Sequence, residues 1–269
     1  MVANKPAVSR WLHRLLAESG GGDLVCVRLG PVHVVAVSCP AMAREVLRRN
    51  DAVFADRPAT FTAAAFSVGY RSASIAPAGD QWRKMRRVLT AEVLAPATER
   101  RLRAAREGEA DHLVRYVRAL CCRAVDVRHV ARHFCGNVIR RLTLGRRHFA
   151  FASPQPAAAA GPRRDEAEHV DALFATLSYL DAFCVSDYFP AFVGLDLDGH
   201  ERVVRRVMRT LNRLHDPVVQ ERAEEWRLLR KAGERRDVAD FLDVLASLDD
   251  AAGRPLLTVE EIKAQTIAS

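Results

Sequence analysis

Beyond Asp80 the chain is written almost entirely in helical period, with apolar residues returning every three or four positions. The segments run from Asp80 to Val93, Ala97 to Leu120, Val127 to Leu144, Glu166 to Ser186, Gly199 to Ala232 and Val238 to Leu248. A chain patterned this way is mainly α, with room for one small sheet near its start. Residues 23–37 hold two β-rich runs joined at Gly30-Pro31, the signature of a hairpin. Ser38 or Cys39 before Pro40 opens a helix that Asn50 ends, with proline near N1, where its missing donor costs nothing. From Phe54 to Ala78 the sequence is rich in Ser, Thr, Ala and Gly with weak periodicity, and is expected to form a long irregular segment of the kind that lines pockets. Residues 153–164 (SPQPAAAAGPRR) are of low complexity and are expected to be a mobile surface loop.

Composition narrows the function classes less than the pattern does. At 49% hydrophobic residues over 269 positions the chain can bury a substantial core. The net charge of +8 is mostly arginine, since only Lys5, Lys84, Lys231 and Lys263 are lysines. An anionic cofactor, an acidic protein, a membrane face or nucleic acid would all suit that charge. The six cysteines show neither a secreted-domain framework nor paired zinc spacing, so a reducing compartment is the simpler inference. No apolar stretch approaches the ~20 residues of a membrane span, and no signal-peptide core stands at the N-terminus. Thr258 and Glu261 form a capping box for a new helix, which has only about three turns before Ser269; an interrupted longer chain is expected.

The strongest local signal is Asp80-Gln-Trp-Arg-Lys-Met-Arg-Arg87, a helix start with Trp82 and Arg86 four apart on one face. An indole N–H and a guanidinium near the positive end of a helix can grip an anion. A core anchor beside a surface charge is the plainer alternative on these residues alone. His112, His129, His133, His169, His200 and His215 make no metal-binding pattern, and His129 with His133 lacks a third ligand. The arginine runs 100–106 and 202–209 read as solvated helix faces, without the aromatic interleaving of nucleic-acid binders.

The order of these segments resembles cytochrome P-450 sequences along essentially the whole chain. The match runs through the hairpin at 25–37, REVLRRNDAVFADRP (44–58) and SIAPAGDQWRKMRRVLTAEVLAP (74–96), which carries the WxxxR pair Trp82 and Arg86. Among plant enzymes it looks closest to the branch that N-hydroxylates amino acids to aldoximes. That likeness is carried by HLVRYV (112–117), ARHFCGNVIRRL (131–142), EHVDALFATLSYLDAFCVSDYFP (168–190), LDLDGHERVV (195–204), RTLNRLHDPVVQER (209–222) and DFLDVLASLDDAAGRPLLTVEEIKAQ (240–265).

The resemblance implies that residues 1–269 are the N-terminal portion of one partial cytochrome P-450 domain, spanning helices A to H and the start of I. It implies heme, with Trp82 and Arg86 binding its propionates from helix C. The stretch around Phe66, Ser67, Val68, Tyr70, Ser72, Ser74 and Ile75 would be the loop over the substrate. Phe183, Cys184, Ser186 and Asp187, near the end of helix F, would reach the substrate from the roof. It also implies an amino-acid substrate, electrons from an NADPH-dependent flavoprotein reductase, a place on the cytosolic face of the endoplasmic reticulum, and a role in making defence compounds such as cyanogenic glucosides.

One departure outweighs the matches. The family's heme-ligating motif, Phe-x-x-Gly-x-Arg-x-Cys-x-Gly, is not in this sequence, and the resemblance implies that the family's Glu-x-x-Arg helix lies beyond Ser269. The nearest look-alike, Phe134-Cys135-Gly136, lies in a helical pattern, and Cys135 reads as a small buried hydrophobe. The chain as it stands is therefore expected to be inactive. A non-catalytic helical module or gene-model fragment is the competing reading, and a basic nucleic-acid or membrane-surface binder a third.

Overall fold

The computed structural model describes residues 8–268 apart from 19, 21, 146–163 and 181. Helix α1 (Val8–Glu18), which the sequence pattern did not announce, precedes a two-stranded antiparallel sheet of β1 (Leu24–Leu29) and β2 (Val32–Val37). Leu24 pairs with Val37 and Leu29 with Val32. The remainder is helical: α2 (Pro40–Arg44), α3 (Asp51–Phe54), α4 (Phe61–Phe66), α5 (Asp80–Val88), α6 (Pro96–Arg101), α7 (Arg103–Ala119), α8 (Val127–Leu144), α9 (Arg164–Leu180), α10 (Val185–Tyr188), α11 (His200–Ala232), α12 (Phe241–Ser247) and α13 (Val259–Ala268). Wider π-type turns continue α2 through Glu45–Arg49 and α5 through Leu89–Val93.

Several boundaries differ from the sequence expectation, each for a local reason. The segment expected to be irregular over 54–78 contains α4, because the Thr60 hydroxyl accepts the Ala63 N–H at 3.1 Å and starts a helix there. The helix expected over 97–120 breaks at Leu102 into α6 and α7. The helix expected over 166–186 ends at Leu180. Beyond it the Val185 N–H donates to Asp198 at 2.9 Å and the Ser186 hydroxyl donates to Glu201, drawing this stretch onto the start of α11. The helix expected over 238–248 shortens to α12, where Asp240 accepts the Asp243 N–H at 2.7 Å as N-cap. The low-complexity stretch lies outside the described residues except for Arg164, which opens α9.

At 33 residues α11 is the spine, about 50 Å long by helix rise. Its C-terminal half packs Val218, Val219 and Trp226 with Met85, Val88, Leu144, Leu242, Leu245 and Ile262. Its N-terminal half packs Val204, Val207 and Leu211 with Phe66, Ile75, Leu173 and Ile267. Helix α13 joins the two clusters, with Ile262 in one and Ile267 in the other. Helices α8 and α9 approach closely at Gly136, where an added Cβ would stand 2.5 Å from a Val170 methyl. Among the described residues no helix is long and apolar enough to cross a membrane.

Candidate functional site

Helix α5 begins beside Gly79 and keeps Trp82 and Arg86 on one face, with the Arg86 guanidinium carbon 5.4 Å from the indole centroid. The Trp82 indole nitrogen is buried and has no hydrogen-bond partner among the described residues. Buried N–H groups nearly always have one, so this donor stands out as one that no acceptor among the described residues satisfies. Arg86 is exposed and makes no ion pair among the described residues. Trp226, on α11, is by contrast satisfied by donating to Asp243 at 2.8 Å. Trp82→Phe is therefore expected to lower stability by about 1 kcal/mol or less in urea denaturation, and Trp226→Phe by about 2 kcal/mol more, because only the second removes a hydrogen bond to a buried carboxylate.

Gln81 and Lys84 fasten the same helix to α13. Lys84 donates to both Glu261 oxygens at 2.8 Å, and Gln81 donates to Glu261 at 3.0 Å. Glu261 also closes the expected capping box. It accepts the Thr258 N–H at 2.9 Å while its own N–H reaches the Thr258 hydroxyl at 3.2 Å. Burial pushes the Glu261 carboxyl up, but Lys84, the Thr258 N–H and Gln81 outweigh that and hold it below its ordinary value. The Arg71 carbonyl is clamped between Gln81 at 3.4 Å and Gln265 at 3.3 Å. The loop before α5 is thus tied to both helices.

That loop is strained. Val68, Gly69 and Tyr70 all have positive φ, at 52°, 74° and 61°, a conformation costly for a β-branched residue. Ser67 holds it by donating to the Ala63 carbonyl at 2.6 Å and accepting the Tyr70 N–H at 2.7 Å, and the Tyr70 hydroxyl donates to the Thr60 carbonyl at 2.9 Å. Phe66 and Ile75 are buried in the second core cluster, and Ser67 and Ser72 are also buried. Ser74 is exposed and within 3.3 Å of the Ser72 hydroxyl.

The two stretches expected to face a substrate meet, although they are far apart in sequence. Asp187 accepts the Thr62 N–H at 3.2 Å, joining α10 to α4. Burial, and then the charge of Asp187, push the Tyr70 phenol above its ordinary value. Ser186 is buried and spent on Glu201, whereas Phe183 is exposed and stacks on Tyr188 with ring centroids 5.0 Å apart. Cys184 is buried and caps α10, where burial raises its thiol. These residues lie in the connection beyond α9 and not on the helix itself.

Sequence reasoning missed the residues that hold this arrangement. Thr62, Asp198 and Glu201 contact partners that no local spacing reveals. Cys135, expected to be buried, is exposed, because α8 turns Gly136, Asn137, Arg140, Thr143 and Leu144 inward and leaves Cys135 on the other face. His169 and His215 meet in the interior: their Nε2 atoms lie 2.8 Å apart between α9 and α11, and the His215 imidazole is lowered to about 4 by burial, then by Arg140 and Lys263.

The cytochrome P450 family model matches residues 10–268, and the chain belongs to that family. Heme is the family's cofactor, and an orphaned indole donor beside an exposed guanidinium suits its anionic edge. The chain is 53% identical over 272 residues to a tyrosine N-monooxygenase of Sorghum bicolor, covering 99% of this chain and 47% of that protein. It is 42% identical to tryptophan N-monooxygenase 1 of Arabidopsis thaliana and to valine N-monooxygenase 2 of Manihot esculenta, in each case over 98% of this chain. The chain thus spans about half the length of the curated relatives it matches. A zebra fish cytochrome P450 solved with progesterone shares the fold at a TM-score of 0.68 and 19% identity, over 98% of this chain and 56% of that one.

Proposed function

We propose that this chain is the N-terminal portion of one domain of a plant cytochrome P450 that N-hydroxylates an amino acid toward an aldoxime, serving the synthesis of defence compounds such as cyanogenic glucosides. Relatives named for action on tyrosine, tryptophan and valine support the amino-acid class without choosing among its members. The observation that carries the cofactor half of the reading is the buried, unpartnered Trp82 N–H beneath Arg86. These two side chains would hold the heme propionates by charge-assisted hydrogen bonds. When bound, heme supplies the oxidising chemistry, and the chain's residues bind, orient and shield the substrate.

Phe66, Ser67, Ser72 and Ile75 would support the substrate loop from beneath, while Val68, Tyr70 and Ser74 shape its surface. Phe183 would add apolar cover, and Ser186 would hold the turn that presents Asp187. The Asp187 carboxylate, with one oxygen on the Thr62 N–H, would offer negative charge to a substrate ammonium. Electrons would come from an NADPH-dependent flavoprotein reductase, with the complete protein on the cytosolic face of the endoplasmic reticulum. Because the thiolate motif is not among these residues, the chain by itself would be inactive.

The test is the complete protein with a flavoprotein reductase and NADPH, offered tyrosine, tryptophan, phenylalanine and valine in turn. Aldoxime from at least one is expected, and heme-loaded protein that forms none from any would overturn the reading. In that assay Asp187→Asn, which keeps an acceptor for Thr62, is expected to raise KM about tenfold or more with a smaller change in kcat, the loss of one charge-assisted contact.

A further inference from the structure

Cys121 and Cys122 follow α7 on an exposed turn. The turn is closed by Leu120 N–H to Val117 O at 3.1 Å, Cys121 N–H to Arg118 O at 3.1 Å and Arg123 N–H to Leu120 O at 3.0 Å. Cys122 has φ of 67°, a region that residues other than glycine seldom enter. Adjacent side chains in a strand point to opposite faces, and those in a helix do not face each other. Here the two sulfur atoms stand 3.6 Å apart. Both thiols are free and open to solvent, unlike the buried Cys184, whereas Cys26 and Cys135 are exposed without a thiol beside them. Arg118 and Arg123 flank the pair, are exposed and make no ion pair among the described residues. They give the turn a positive field that attracts a carboxylate-bearing reagent.

We propose that Cys121-Cys122 is a dithiol exchange site that takes a small anionic disulfide of the glutathione class and closes to an intramolecular disulfide. One cysteine, as thiolate, attacks the oxidised glutathione, forming a protein–glutathione disulfide and expelling one glutathione thiolate. The neighbouring thiolate then attacks the protein sulfur of that mixed disulfide, forming the Cys121–Cys122 bond and expelling the second glutathione thiolate. The protein loses two electrons and the oxidised glutathione gains them; the two protons released by the cysteines end on the two glutathiones. Closure is intramolecular and starts from sulfur atoms already 3.6 Å apart, which favours its rate, while adjacent Cα atoms only ~3.8 Å apart strain the ring and leave the bond easily reduced.

The experiment treats the full 269-residue chain with oxidised glutathione, removes the reagent, and follows intact mass and mapped peptides. The wild type is expected to lose two hydrogen atoms within the peptide carrying Cys121 and Cys122, to show two fewer free thiols, and to recover both with dithiothreitol. C122S is expected to stop at a glutathione adduct on Cys121 that decays at least about tenfold more slowly than the wild-type adduct. Equal adduct lifetimes in the wild type and C122S would overturn the proposal. So would reaction confined to Cys26 and Cys135, or a disulfide joining Cys121 to any cysteine other than Cys122. Both substitutable positions are on the surface, and the wild-type mapping stands without any variant.

Discussion

Asp243→Ala is expected to destabilise the chain by about 3–5 kcal/mol in urea denaturation, the range for stripping one partner from a buried ion network. The Asp243 side chain is 1% exposed and accepts from Trp226 at 2.8 Å, Arg236 at 2.6 Å and the Ala239 N–H at 2.9 Å. Arg222 adds a contact at 2.7 Å and also reaches Asp240 at 3.0 Å. Removing Asp243 leaves the Trp226 N–H and part of the Arg222 charge without an acceptor where α11 meets α12. Arg222→Ala should be strongly non-additive with it, since the two changes break the same network.

The acid response follows from the same groups. Burial pushes Asp243 up, but Trp226, the Ala239 N–H and Arg222 hold it below its ordinary 3.8, as Lys84 and its neighbours hold Glu261 below 4.5. A carboxyl lowered on folding adds stability that is complete above its unfolded value and is lost as pH falls through the folded one. Asp240 runs the other way. Its burial outweighs the Asp243 N–H and Arg222 and raises it, so its protonation offsets part of the loss. Asp243→Asn should flatten the fall in stability below about pH 4 relative to the wild type.

Glu201→Ala is expected to cost about 3 kcal/mol, since it leaves a buried hydroxyl and a backbone donor unsatisfied and removes a charge-assisted bond. Glu201 is 1% exposed; it accepts from the Ser186 hydroxyl, from the Gly194 N–H at 2.9 Å and from Arg205 at 2.8 Å. It therefore pins the segment between α9 and α11 to the first turn of α11. Its loss should act first as local opening, seen as faster proteolysis between Cys184 and Gly199 than within α11. Glu201→Gln, which keeps the acceptor but not the charge, should recover about half of the stability. If Asp187 serves the substrate as proposed, both variants should also raise KM in the complete enzyme, because the turn that presents it is the one released.

The helices were legible wherever apolar period and end signals agreed. Val127–Leu144 and the Thr258–Glu261 box are local patterns, and they fold as local patterns. What the sequence concealed is tertiary. Glu166 to Ser186 has helical period throughout, yet the helix stops at Leu180 because Asp198 and Glu201 compete for the backbone and hydroxyl groups that follow. The Trp82–Arg86 pair was visible by spacing, but only the structure shows that the indole donor is buried and unpartnered, which separates it from an ordinary core tryptophan such as Trp226. The contact between Thr62 and Asp187 spans 125 residues, and no window of sequence contains it.

The most direct measurement is the carbon monoxide difference spectrum of the purified 269-residue chain after incubation with heme and reduction. These residues offer donors for the porphyrin edge but no cysteine in the ligating motif, so no band of a thiolate-ligated heme is expected. Such a band, abolished by replacing a single one of the six cysteines with serine, would contradict the account.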